Sequence, residues 1–441
     1  MRSKRIVALI IALMIGAGCF AACSEKENVS DGDSQETVDT SDNNTSTDNG
    51  TTDNTDNNDN TDNNDNSDNS DNNDNNDNND DNSDNNDNEV SPQMYKLTST
   101  TPGVKVLGVR NLASESGLHM DWSCSGAEFG IDLKGGNVRL NFKASDSCYI
   151  RVWVDGNEYE QNGSKYFTIS NVAGSVVLNN IPAGKHTIRV MKVTGYTLAR
   201  AELTGIILAG EMLTDAVDTT DKDTYIEFVG DSITCGWGTI GEHTGAYTDQ
   251  DGTYAFSYLL AKEFDADYSM TALSGQGLLC GNPGVTNGYL YADPIGNGET
   301  QYDFARKADI VVINIGTNDY SKKVGEAEFK AAYLSFLRTV REKNGDDCRI
   351  LCLYNTMNDT YANAILAAVE EFGGIRNGVS LYKLNRAHGN HHPNIAEHEA
   401  YAEVLKDIIK NLPEKFISDI THVPEGDGSM DHIDWEELNK G

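Results

Sequence analysis

The sequence predicts an α/β domain with a mostly parallel sheet, preceded by an all-β domain of the sandwich or jelly-roll kind. From residue 222 onward, apolar runs alternate with amphipathic helical segments, which is the pattern of a sheet covered by helices. Residues 93 to about 215 instead carry short alternating runs separated by turn residues. Before both lies a long stretch with no apolar face at all.

Residues 1–23 read as a secretory signal. Arg2, Lys4 and Arg5 form a positive end, Ile6 to Ile15 an apolar core, and small residues lead to a cysteine. A permanent transmembrane helix competes, but the apolar run is short for one and ends in Gly, Ala and Cys. The segment FAAC, ending at Cys23, resembles a bacterial lipobox, with Cys19 as a second and poorer candidate. That resemblance implies a lipidated Cys23 and a cell-surface bacterial lipoprotein held to a membrane without spanning it. An ordinary secretory signal is the alternative.

Residues 24–90 are almost entirely Asp, Asn, Ser and Thr. Such a stretch cannot bury enough surface to offset its ordering entropy, so a disordered, self-repelling tether is expected. As a coil its mean span is about 45 Å, lengthened by repulsion. No stretch matches an EF-hand loop with its Gly and closing Glu, which argues against specific calcium sites. The tether holds 22 acidic residues and one Lys of a chain whose net charge is −35. The folded remainder is still acidic, which argues against nucleic acid as a partner.

In the all-β domain, residues 91–218, NVRLNFKA puts Val138, Leu140 and Phe142 on one face. In CYIRVWVDG, Tyr149, Arg151 and Trp153 face one way and Ile150, Val152 and Val154 the other, before a hairpin-like turn at Asp155-Gly156. Two more strands flank a Pro-Ala-Gly turn. The domain reads either as a packed scaffold or as a carbohydrate-contacting surface.

The α/β domain, residues 219–415, has apolar runs in TYIEFVG, DADYSMTALSG, ADIVVINIG, CRILCLYNT and GVSLYKL. In the helical segment EAEFKAAYLSFLRTVREK, Phe329, Ala332, Tyr333, Phe336, Leu337 and Val340 form a core stripe. An acidic extension, residues 416–441, contains Trp435 and no readable motif. No CxxC pair with zinc spacing occurs, so no metal or other cofactor is called for. Export permits disulfides; Cys124–Cys148 and Cys235–Cys280 are the pairs to test, with free buried thiols as the alternative.

Four motifs follow four of the strands: Gly230-Asp231-Ser232, Ser274-Gly275-Gln276-Gly277, Gly316-Thr317-Asn318-Asp319 and His391-His392-Pro393-Asn394. A parallel sheet brings its strand ends to one rim, where ligands bind. A serine hydroxyl needs a base to take its proton, and imidazole titrates near neutrality. A tetrahedral intermediate needs hydrogen-bond donors, which the N–H groups of Ser232 and Gly275 and the Asn318 amide can supply.

Ser232, Gly275, Asn318 and His392, in blocks of this order, resemble the SGNH (GDSL) hydrolases over roughly 190 residues. The resemblance implies a flavodoxin-like three-layer sandwich, Ser232 as nucleophile, Gly275 and Asn318 as oxyanion residues and His392 as base. The β-domain followed by GDSITCGWG is most like carbohydrate esterase family 2, which implies a jelly roll ahead of an acetyl esterase acting on xylan or glucomannan. A lipid esterase or thioesterase of the wider group, and a surface polysaccharide binder with a vestigial esterase, stand as alternatives.

One departure matters. The family's Asp three residues before the histidine is here Gly389, and Asn390 follows it. Some family 2 members work as a Ser-His dyad with a backbone carbonyl orienting the ring, and that arrangement is expected; Asp359 is a substitute acid to consider. His391 is the rival base, disfavoured by the His-Pro-Asn context. His398 reads as structural. Trp237, Tyr254 and Tyr354 are candidate sugar platforms, with core packing as the competing role.

Overall fold

The computed structural model describes residues 90–412, except 113, 171, 242, 296–299, 355 and 385–390. These residues belong to one unit, Asp84–Gly441. The signal with Cys19 and Cys23, the Asp/Asn-rich tether up to residue 89, Gly389, Asn390 and the extension carrying Trp435 lie outside the described residues.

The first described part is all β. Its strands are β1 (Gln93–Lys96), β2 (Val104–Leu107), β3 (Leu118–His119), β4 (Ser125–Ala144), β5 (Cys148–Val154), β6 (Asn157–Glu158), β7 (Phe167–Ile169), β8 (Gly174–Leu178), β9 (Gly184–Lys192) and β10 (Ala201–Leu213). All pair antiparallel, in the order β1-β10-β4-β9-β5-β6, with β2 and β8 also on β4, β3 on β10 and β7 on β5. β4 is the spine. Its first half pairs β9 and its second half pairs β8, so the strands flanking the Pro-Ala-Gly turn succeed each other along β4 instead of pairing together. Asp155 (φ 51°) and Gly156 (φ 77°) make the two-residue turn between β5 and β6.

Alternation along β5 explains how this part is used. Ile150 and Val152 enter a core with Val138, Leu140 and Phe142. On the opposite face, Tyr149 and Trp153 pack against a second core that belongs largely to the α/β part. Met191, Val193 and Cys124 join that second core too. Both faces of this strand are therefore occupied.

The α/β part begins with β11 (Tyr225–Gly230), α1 (Ser232–Cys235), α2 (Phe256–Glu263), β12 (Asp267–Ala272) and α3 (Val285–Gly288). It continues with β13 (Ile310–Asn314), α4 (Thr317–Ser321), α5 (Glu326–Asn344), β14 (Arg349–Tyr354), α6 (Ala362–Phe372), β15 (Val379–Lys383) and α7 (Ile395–Lys410). The five strands are parallel in the order β12-β11-β13-β14-β15, which matches the five predicted apolar runs. Residues alternate between two cores: Val229, Val311 and Ile313 face α5 and α6, whereas Phe228, Ile310 and Val312 face α2 and α7. Three layers result. The predicted stripe on α5 is buried at Phe329, Tyr333, Phe336, Leu337 and Val340, with Ala332 partly so.

Neither candidate disulfide forms, and the alternative of free thiols holds: Cys124, Cys148, Cys235, Cys280, Cys348 and Cys352 are all free. The pairs are separated by packing. Cys148 lies in the core of the antiparallel strands and Cys124 in the shared one. Cys235 is buried on α1, whereas Cys280 sits beside Gly277 and Asp319.

Candidate active site

The strand order reverses direction between β11 and β13, so a crevice opens beyond their carboxyl ends. Ser232 stands one residue beyond β11 and starts α1, where its N–H has no intrahelical partner. Asp231 caps that helix, accepting the Ile233 N–H at 3.1 Å. Asp231 is fully buried, and burial, with the charge of Asp319 in addition, pushes its carboxyl up to about 7. Gly230 must be small, since a Cβ there would lie 2.1 Å from Thr234 Oγ1.

His392 reaches this turn from the other end of the domain. Its Nε2 lies 2.8 Å from Ser232 Oγ, across 160 residues of sequence. Two features hold it. Asn394 and Glu397 form a reciprocal capping box at the start of α7, with Asn394 Oδ1 accepting the Glu397 N–H at 3.0 Å and Glu397 Oε2 the Asn394 N–H at 2.8 Å. The Trp237 ring stands edge-on to the imidazole at 5.7 Å between centroids. The ring of His243 lies 6.2 Å away, nearly parallel. Burial, and then the neighbouring His243 and His391, push the His392 pKa down to about 4. The ring is thus unprotonated at neutral pH and able to accept a proton.

Among the described residues, no carboxylate is hydrogen-bonded or ion-paired to His392. Asp359, weighed as a substitute acid, is exposed, and its carbonyl accepts the Ala362 N–H at the start of α6. His391 is exposed, and its Nδ1 lies 2.8 Å from the His392 carbonyl oxygen. His398 is fully buried, and its Nδ1 accepts the Phe256 N–H that opens α2.

The other two blocks knit to the first. The Leu273 N–H donates to Gly230 O at 3.3 Å, leading into a turn closed by Gln276 N–H to Leu273 O at 3.0 Å. Gly275 occupies the left-handed position of that turn at φ 80°, where a side chain is strained whatever the space. Asn318, on α4, donates its amide to Gln276 O at 2.8 Å. The turn and the amide are therefore one connected unit.

The aromatic candidates separate. Trp237 packs at the imidazole. Tyr254 is fastened in the seam with the antiparallel strands: Lys165 donates to its hydroxyl at 2.6 Å, and Arg151 lies 5.5 Å from its ring. Tyr354 ends β14 and borders a small cavity with Gly316 and Thr317, one residue from Asn318.

Sequence reasoning missed several supports. His243 carried no motif. Asn394-x-x-Glu397 is a readable capping signal. The loop from Trp237 to Tyr254 is tied to the antiparallel strands through Gly252 N–H to Val193 O at 2.9 Å, Gly195 N–H to Gln250 Oε1 at 2.9 Å and Arg151 Nη1 to Asp251 Oδ2 at 2.8 Å, partners that no local pattern reveals.

Residues 228–414 match the model of the GDSL-like Lipase/Acylhydrolase family. The chain is 27% identical over 335 residues to the cellulase/esterase CelE of Acetivibrio thermocellus, covering 70% of this chain and 39% of that one. It thus spans about two-fifths of the length of CelE. It is 25% identical over 312 residues to an acetylxylan esterase/glucomannan deacetylase of Cellvibrio japonicus, covering 65% of this chain and 83% of that protein. A family two carbohydrate esterase from Clostridium thermocellum, solved in complex with cellohexaose, aligns with a TM-score of 0.62 at 25% identity, over 70% of this chain and 98% of that one. The resemblance to SGNH hydrolases, and among them to carbohydrate esterase family 2, holds.

Proposed function

We propose that this protein is a serine esterase that removes O-acetyl groups from hemicellulose polysaccharides or their oligosaccharides, xylan or glucomannan, through an acetyl-enzyme. The observation that carries the reading is the 2.8 Å approach of His392 Nε2 to Ser232 Oγ. Relatives named as an esterase and as an acetylxylan esterase/glucomannan deacetylase support the substrate class. The amino-terminal strands are read as the jelly roll that accompanies such enzymes, and the leader as an export signal with Cys23 as its lipid-bearing residue.

Ser232 Oγ attacks the acetyl carbonyl while His392 Nε2 takes its proton. Negative charge on the carbonyl oxygen is met by the Ser232 and Gly275 N–H groups and by the Asn318 amide. His392 returns the proton to the sugar oxygen as the ester bond breaks, leaving acetyl on Ser232. Water, deprotonated by His392, then releases acetate. The pair works as a dyad, with a backbone carbonyl holding the imidazole tautomer in place of a carboxylate. Ser232→Ala is expected to lower acetate release from acetylated xylan by about 10⁴-fold or more. Undiminished release would overturn the reading.

A polysaccharide-binding role has one observation in its favour. The cellohexaose in the related structure carries no acetyl group. Binding of unsubstituted glucan by Ser232→Ala, together with no turnover by the wild type, would select that role. Equal turnover of long-chain and short-chain aryl esters would instead select a lipid esterase.

A further inference from the structure

Asp319 follows the oxyanion candidate Asn318 and is completely buried. Its carboxylate accepts three successive backbone N–H groups from a loop some 40 residues away: Leu278 at 2.6 Å and Leu279 at 2.9 Å, with Cys280 longer at 3.3 Å. Asn318 adds a fourth bond to the same loop, at Gln276 O. These four bonds fall on residues 276 to 280, directly after Gly275. The contact is also fitted sterically. A Cβ on Gly277 would stand 2.5 Å from Asp319 Oδ2, so the loop approaches this closely only because residue 277 has no side chain. A carboxylate suits the position because both its oxygens accept, and the loop presents only donors there.

We propose that Asp319 is a positioning residue of the oxyanion hole: it clamps the loop behind Gly275 so that the Gly275 N–H and the Asn318 amide stay aimed at one point. Among the described residues, the Asp319 carboxylate is hydrogen-bonded to the backbone of this loop and not to Ser232. The proposal rests on the esterase reading above. Donors of an oxyanion hole act through placement, and a displacement near 1 Å costs about 100-fold in rate.

Asp319→Asn leaves one accepting oxygen and turns an NH₂ toward N–H donors. With an aryl acetate, its kcat is expected to fall about 100-fold with KM within twofold, the midpoint of the pH profile unchanged and the fold retained by circular dichroism. Gly277→Ala attacks the same contact from the loop side and is expected to give the same split. In Asn318→Ala/Asp319→Asn the two losses should combine to less than their product, since both act on one site. A kcat within twofold of wild type in Asp319→Asn overturns the proposal. So do fully multiplicative losses, or loss of folding in both single variants, which would make the contact a determinant of the fold alone. Absence of any turnover by the wild-type protein would instead overturn the esterase reading, and the clamp with it.

Discussion

Arg110, in the loop between β2 and β3, and Glu227, in the middle of β11, form a fully buried ion pair, with Nε 3.1 Å from Oε1. The pair joins the antiparallel part to β11, an inner strand of the parallel sheet. Glu227 also accepts from Tyr289 Oη at 2.6 Å and Thr271 Oγ1 at 3.0 Å, and Arg110 lies 4.3–4.7 Å from the rings of Tyr289, Tyr302 and Phe304. Removing one partner strands the other charge away from water. Arg110→Met is expected to lower the unfolding free energy by about 3–5 kcal/mol in urea denaturation, and Arg110→Met/Glu227→Gln to recover part of it. A loss under about 1 kcal/mol in the single variant would refute this.

The rate should hold in acid. On the proposed mechanism His392 acts while unprotonated, and its pKa is pushed down to about 4. For a neutral aryl acetate, kcat/KM is expected to be flat from neutrality downward and to fall only as pH drops through about 4. His243, whose charge helps depress this pKa, gives a second handle: His243→Ala should move the midpoint upward. A midpoint near 6.5 in both proteins would contradict the burial that sets the shift.

Stability should show the opposite pole of the same chemistry at His398. Burial holds its pKa at about 3, against 6.5 when free. The folded state thus binds fewer protons than the unfolded state between these values. The contribution is complete above 6.5 and is lost as pH falls toward 3. An asparagine can still accept the Phe256 N–H but does not titrate. Relative to wild type, His398→Asn should therefore gain stability on acidification, by up to about 1.4 kcal/mol per pH unit. Parallel stability profiles for the two proteins would count against it.

Thiol chemistry tests the cysteine arrangement. Denatured without reductant, the protein should give free thiols at Cys124, Cys148, Cys235, Cys280, Cys348 and Cys352 in a mass-mapped alkylation. In the native state, partly exposed Cys280 should react first, and slowly at pH 7, because burial and Asp319 push its thiol up to about 11. Any of these six recovered in a disulfide would overturn the arrangement.

Much of the α/β architecture was legible because its signals are local. Each strand is a short apolar run, and a parallel sheet carries every strand end to one rim. Ser232, Gly275, Asn318 and His392 are thus grouped by the sequence pattern alone. What was not legible depends on partners distant in sequence. Asp319 reads as a strand-end residue until its three N–H donors are seen. Arg110 carries no motif. Tyr254 read equally as a cleft aromatic or a packed one, and a single lysine, Lys165, decides where it is held. The order of β8 and β9 along β4 escaped because alternation names the faces of a strand but not its neighbours.

The nucleophile stands near the start of the parallel-sheet part, and its base stands two residues before the cap of the last described helix. Only a nascent chain that extends past residue 392 contains both, and α7 must wind before the capping box can seat His392. On the proposed esterase reading, competence therefore arrives only once residue 392 and α7 behind it have been made. A chain stopped by premature termination within residues 233–391 carries Ser232 but lacks its base, and is expected to be catalytically silent.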